Sequence, residues 1–163
     1  MGSEMCIRDR RSLPWRDIVT PYRTWVSEIM LQQTRVQAVL PYFERFMSAA
    51  PDVPALAELA EDRLLSLWQG LGYYSRARSL QRSARVMVDQ YGGCLPDTYS
   101  GLIQLPGIGD YTAGAILSIA FNKAVPAVDG NVLRIAARLT ACGDNVLDLR
   151  TRQHLSLIHI SEP

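Results

Sequence analysis

Residues 105–129, reading LPGIGDYTAGAILSIAFNKAVPAVD, constrain this chain more than any other stretch. A helical segment runs into Leu105, the turn Pro106-Gly107-Ile108-Gly109 follows at once, and a strongly helical run extends from Tyr111 to Ala120. Gly107 and Gly109 supply the positive-φ or unhindered backbone that a tight turn between two helices requires. The missing side chains leave the backbone N–H groups of Gly109, Asp110 and Tyr111 open at a helix N-terminus. Free donors and the helix dipole there favour an anion such as phosphate. The same residues also make an ordinary helix connection with a glycine stop, and the turn alone leaves both readings open.

The 163 residues, 48% of them hydrophobic, suffice for one modest core and one domain. A formal charge of +1 announces no nucleic-acid partner in bulk, but of the 17 basic residues only Lys123 is a lysine. Arginine favours bidentate phosphate contacts and stacking on flat rings. Cys6, Cys94 and Cys142 lie far apart without a CxxC pair, so they make neither a zinc nor an iron–sulfur site, and no disulfide framework is indicated. No apolar run is long enough to span a bilayer and no signal peptide is visible, which predicts a cytoplasmic protein. Residues 1–10 (MGSEMCIRDR) and 155–163 (LSLIHISEP) break the helical patterning beside them and resemble translated sequencing adapters. They are expected to be non-native tails around a native segment, residues 11–154, truncated at both ends.

Taken in order, Leu13-Pro14-Trp15-Arg16 reads as a short extended piece. Thr20 is an N-cap with Pro21 at the first helical position. The helix to Gln33 buries Tyr22, Trp25, Val26, Ile29 and Met30 on one stripe, and Glu28 falls off it, beside Leu31 and Gln32. Such a carboxylate is either a plain surface acid or, facing a cleft, a desolvated one with a raised pKa suited to general-acid work. A helix over 36–50 points Val39, Leu40, Phe43, Phe46 and Met47 inward; shorter helices over 55–60 and 61–69 follow. The elbow Gly70-Leu71-Gly72-Tyr73-Tyr74 leads into a helix over 75–91 that carries Arg76, Arg78, Arg82 and Arg85 and stops at Gly92-Gly93. Basic residues beside exposed rings fit a nucleic-acid surface, and equally a solvated basic face. A short helix over 96–104 reaches the glycine turn, and Asp129 caps a helix over 132–140. No strand or repeat is evident; the chain reads as all-α.

LPGIGDYTAGAILSIAF followed by VPAVDGNVLR resembles the helix–hairpin–helix DNA glycosylases. SEIMLQQTRVQAVLPYFERF, WQGLGYYSRARSL and LPWR narrow the resemblance to adenine DNA glycosylases of the MutY type, over about residues 13–155. It implies a helix–hairpin–helix glycosylase fold, here mainly the six-helix barrel part of the catalytic domain, with the hairpin at 105–109. The implied reaction removes adenine mispaired with 8-oxoguanine or guanine, flipped out of the duplex because its glycosidic bond is unreachable inside the stack. Glu28 matches the family acid that protonates the adenine ring, Asp129 the carboxylate that stabilises the cationic sugar, and Asn131 a supporting amide. Arg16, Leu31 and Tyr111 match pocket positions, Gln33 the residue filling the vacated space, and Tyr73 the ring wedged into the stack. Gly107, Gly109 and Asp110 match the turn that grips the DNA backbone.

Relatives that also cleave the strand carry a lysine nucleophile just after the hairpin, where this chain has Tyr111; Leu133 stands where some MutY-type proteins have a lysine. A monofunctional glycosylase is therefore expected, a monomer at the bacterial nucleoid acting on double-stranded DNA without membrane contact. The family's [4Fe–4S] cluster cysteines, its 8-oxoguanine-reading C-terminal domain and its N-terminal helix have no counterpart in this sequence. No cofactor is expected in the chain itself, with the cluster belonging to the full-length protein. An exposed apolar seam, marginal stability and weak or no turnover are expected to follow. Two alternatives stay open: a thymine-specific mismatch glycosylase of the same superfamily, and a catalytically dead DNA-binding fragment.

Overall fold

The computed structural model describes residues 13–125, 127 and 130–139, and every regular element among them is helical. They are α1 (Pro14–Asp17), α2 (Pro21–Leu31), α3 (Val36–Ala49), α4 (Val53–Glu58), α5 (Glu61–Trp68), α6 (Tyr74–Tyr91), α7 (Tyr99–Ile103), α8 (Asp110–Ala120) and α9 (Gly130–Leu139). None is long and apolar enough to cross a membrane.

Local chemistry sets most boundaries. The Thr20 side chain accepts from the Arg23 N–H at 3.2 Å and starts α2, with Pro21 in the first turn as expected. Asp52 caps α4 through the Ala55 N–H at 2.9 Å, so that helix starts at Val53, two residues before the expected 55, and Pro54 sits harmlessly in its first turn. Thr98 caps α7 in the same way, which makes this helix shorter than the expected span 96–104. The expected extended piece at 13–16 is instead one helical turn. Pro14 pre-sets a helical φ, the Arg16 N–H donates to the Leu13 carbonyl at 2.7 Å, and Trp15 turns inward edge-on to Phe43 at 5.1 Å.

The core gathers around α2, whose Trp25, Val26 and Met30 are fully buried. α2 packs on α3, α6 and α8, while α4 and α5 close over α6. Phe43 and Phe46 of α3 are also wholly buried, Phe46 edge-on to Trp68 at 6.1 Å. Buried polar groups staple the layers. Tyr22 donates its hydroxyl to the Ala50 carbonyl at 2.7 Å, and Gln81 donates to the carbonyls of Leu56 and Leu59.

The hairpin between α7 and α8 rests on α6. Ser83 donates to the Pro106 carbonyl at 2.7 Å, and Gly107, at φ 82°, lies so close that an added Cβ would fall 2.9 Å from that of Ser79. Gly109 takes the other alternative: its φ of −100° is ordinary extended backbone, and no atom lies within 4 Å of where a Cβ would stand. Only Gly107 is therefore required by the turn.

Two stability outcomes follow. Gly107→Ala loses about 1–3 kcal/mol in urea unfolding because it adds left-handed strain to a clash, whereas Gly109→Ala stays within about 0.5 kcal/mol of the parent. Phe43→Ala, which empties a site under both Trp15 and Arg23, loses about 3–5 kcal/mol.

Candidate active site

The C-terminal end of α2 is tied to the elbow between α5 and α6. One guanidinium answers its carbonyls. Arg76 donates through Nη1 to Ile29 at 3.2 Å, to Met30 at 3.1 Å and to Gln32. Through Nη2 it donates to the elbow carbonyls of Leu71 and Gly72, at 3.1 and 3.2 Å, and to Thr34 Oγ1 at 3.3 Å. α2 thus stops at Leu31, short of the expected Gln33, which is left-handed at φ 57°; Tyr73 across the elbow is left-handed at φ 51°.

Where these segments meet, an open cleft of about 1110 Å³ forms. Arg16 from α1, Glu28 and Leu31 from α2, Gln33, Tyr73 of the elbow and Tyr111 from the first turn of α8 all line it. All five expected base-contacting positions and the expected acid thus share one cavity. Gln32, Ser75, Arg76 and Arg134 complete the lining; the sequence marks Gln32 only as a neighbour of Glu28 and Arg76 only as one cation of a basic helix, and singles out neither for the cleft. The missed signal for Arg76 is a cation in a helix first turn that holds no acid, where the dipole disfavours it unless something else needs it.

Glu28 is the sole acid among the lining residues. It is half-buried, and loss of solvent pushes its carboxyl above the usual range, while the Arg16 guanidinium pulls part of the way back. Tyr73 and Tyr111 keep 63% and 42% of their surface exposed, so two rings stand at the mouth. The hairpin delivers Tyr111. Gly109 precedes α8 without a side-chain cap, and the Asp110 carboxylate accepts from the Tyr99 hydroxyl at 2.8 Å. That bond holds a negative group to one side of the α8 N-terminus.

Asp129 lies outside the described residues, as does the side chain of Asn131; the helix that starts at Gly130 brings Arg134 to the cleft. Lys123 does not line the cleft and binds Asp97, at 2.9 Å to Oδ2 and also at the main-chain carbonyl. Leu133 is buried. The basic face of α6, which the sequence leaves open between a nucleic-acid surface and a solvated one, is partly committed to neighbours at the surface: Arg78 pairs with Glu61 at 2.8 Å, Arg85 donates to the Ala57 carbonyl at 3.2 Å and Arg82 to Ser79 at 3.2 Å. Cys94 is exposed, Cys6 and Cys142 lie outside the described residues, and no group of three or more His, Cys, Asp or Glu among the described residues could hold a metal. These residues do not fit an iron–sulfur cluster.

The chain is similar to many known proteins. The chain is 49% identical over 129 residues to the adenine DNA glycosylase of Buchnera aphidicola subsp. Acyrthosiphon pisum, covering 79% of the chain and 37% of that protein. It is 45% identical to the Mus musculus adenine DNA glycosylase over 157 residues, covering 91% of the chain and 30% of that protein. The Homo sapiens enzyme of the same name is 46% identical over 145 residues, 83% of the chain and 27% of that protein. The chain thus spans 37% or less of the length of these relatives. Among solved structures it superposes on a thermostable thymine-DNA glycosylase with a TM-score of 0.82 at 26% identity, over 93% of this chain and 71% of that one. It also superposes on a trapped endonuclease III–DNA covalent intermediate with a TM-score of 0.76 at 25% identity, over 88% and 67% of the two chains. The family model of the HhH-GPD superfamily base excision DNA repair proteins matches residues 26–159, and the chain belongs to that family, with its helix–hairpin–helix glycosylase fold.

Proposed function

We propose that this chain is the base-removing part of an adenine DNA glycosylase, acting on duplex DNA in which adenine stands opposite 8-oxoguanine or guanine. The observation that carries the reading is Glu28: a single, half-desolvated acid in a cleft otherwise lined by arginines, amides, tyrosines, Leu31 and Ser75. An extruded purine needs a flat ring to lean on, donors for its edge and a proton on its ring nitrogen, and this lining offers all three. Glu28 gives its proton to the adenine ring, the bond between C1′ and N9 breaks with its electron pair leaving on the base, and an oxocarbenium sugar remains. Asp129 and Asn131, just before and within the first turn of α9, take the sugar-stabilising role. Water adds at C1′ and returns its proton to the Glu28 carboxylate, leaving free adenine and an abasic site. No step runs through a metal.

The hairpin at 105–109 grips the backbone through the N–H groups at the start of α8, so double-stranded DNA is the partner and the bacterial nucleoid the place of work. Residues 11–154 are then a partial catalytic domain flanked by non-native tails at 1–10 and 155–163. No lysine lines the cleft among the described residues, which favours a monofunctional enzyme over one that forms a Schiff base. A second reading has structural support: the thymine-DNA glycosylase likeness reaches a TM-score of 0.82. The 45–49% identity to adenine-named relatives favours the purine.

Product analysis on A·8-oxoG, A·G and T·G duplexes separates these readings. Free adenine from the first two supports the proposal; thymine from the third alone overturns it. Borohydride is expected to trap no covalent adduct.

Glu28→Gln is expected to cut base release by about 10²–10⁴-fold while leaving duplex binding intact. The same change has an opposite effect on stability. Because folding raises the Glu28 pKa, its protonated form is favoured by the fold below the ordinary glutamate pKa, and that contribution is lost as pH rises through the raised value. Near neutral pH Glu28→Gln therefore melts above the parent, and the gap closes in acid. Base release by the parent falls over the same rise in pH.

A further inference from the structure

Arg76 does more than satisfy a helix end. Its two terminal nitrogens divide the work: Nη1 bonds only carbonyls at the end of α2, and Nη2 bonds the elbow and Thr34. Two of those acceptors have a special place. The Gln32 carbonyl belongs to the peptide plane that precedes Gln33, and the Gly72 carbonyl to the plane that precedes Tyr73. Gln33 and Tyr73 are two of only three non-glycine residues with positive φ among those described. Side-chain-bearing residues resist that conformation, so something must hold it. The third, Asn122, is of a residue type that enters the left-handed region readily.

The guanidinium also sits over the Tyr73 ring, 5.3 Å from its centroid, and 5.6 Å from that of the buried Trp68. Tyr73 is thereby held from its backbone and from its ring face at once. A lysine does not reproduce this, because its single point-like ammonium lacks the planar fork that faces two segments at once and the flat face that lies over the ring. Gln33 and Tyr73 are both exposed and both line the cleft, so one half-buried side chain sets the backbone of two residues at its mouth.

We propose that Arg76 is a positioning residue that presents Gln33 and Tyr73 as a preformed pair, and through them governs how tightly the chain binds and opens a mismatched duplex. This rests on the glycosylase reading above. Preorganised groups do not have to be ordered when the duplex arrives, so the affinity lost without Arg76 is the ordering cost of both residues.

A double-mutant cycle separates this role from that of a fold staple. Arg76→Gln and Arg76→Lys are made in the parent chain and in a Gln33→Ala, Tyr73→Ala background. Binding is measured by fluorescence anisotropy on A·8-oxoG and fully matched duplexes, and opening by 2-aminopurine placed at the target adenine. In the parent, each Arg76 change is expected to weaken mismatch binding by about tenfold and to quench the 2-aminopurine signal, with matched-duplex binding little changed. In the double-alanine background it should cost under about twofold, because the residues through which Arg76 acts are gone. A staple would lower both backgrounds alike, and equal losses overturn the proposal. Circular dichroism monitors folding; if Arg76→Gln does not fold, Arg76→Lys carries the cycle, and failure of both to fold also overturns it. A parent chain that does not prefer the mismatched duplex sinks the glycosylase reading and this inference together, whereas a preference with additive losses sinks this inference alone.

Discussion

A helix that ends inside a protein has a problem that a helix ending in water does not. Its last carbonyls need donors, and unpaired buried ones cost about 1–3 kcal/mol each. α2 is such a helix. Its Trp25, Val26 and Met30 are fully enclosed, α3, α6 and α8 pack along it, and the elbow crosses its end. The chain meets this need with one arginine, and Gln33 rather than a glycine takes the left-handed position after the helix. That choice makes the end of α2, the elbow and the first turn of α6 a single unit, since the same planar group bonds all three. The cleft is the space this unit leaves open.

Glu28 takes its chemistry from the same packing. It sits three residues before the end of α2, where the apolar stripe has turned its back and Arg16 comes over from α1. Were α1 the extended piece that its sequence suggests, Trp15 would not be drawn into the core beside Phe43, and Arg16 would have no fixed place. Two effects of opposite sign then act on one carboxyl. Burial raises its proton affinity and the neighbouring cation lowers it, with burial the larger. A general acid for neutral pH wants that order, because an arginine in control would leave it ionised and unable to donate.

Features written in neighbouring residues were readable from the sequence. Thr20-Pro21 announces the start of α2, the five-residue stripe from Tyr22 to Met30 is buried as spaced, and the Pro-Gly turn lies between two helices. Features that depend on distant partners were not. Arg76 meets acceptors 42–47 positions away, so along α6 it looked like one more cation in a basic run. Arg78 and Arg85 find Glu61 and the Ala57 carbonyl at separations of 17 and 28, which changes a free phosphate-seeking face into a partly committed one. Exposed pairs of this kind are worth about 0–1 kcal/mol and leave the charge at the surface. Gly109 shows the limit from the other side: glycine there suggested special backbone, yet its dihedrals suit any residue, and what its missing side chain leaves is open space at the start of α8. The convergence of Glu28 with Arg16, Leu31, Gln33, Tyr73 and Tyr111 was legible only through family resemblance, because no local pattern encodes a meeting of α1, α2, the elbow and α8.

One face of α6 joins these parts. Arg76, Ser79 and Ser83 follow at spacings of three and four, so they form a single row along the helix beside its apolar stripe. The first locks the elbow and the end of α2, the second lies against Gly107, and the third holds the Pro106 carbonyl. Seven residues of helix span about 10 Å. The anchor of the cleft mouth and the anchor of the hairpin are therefore two points on one stiff rod, and neither can shift along its axis without the other. Glycine at 107 is what lets the hairpin come this close to the rod, since a Cβ there would fall 2.9 Å from that of Ser79.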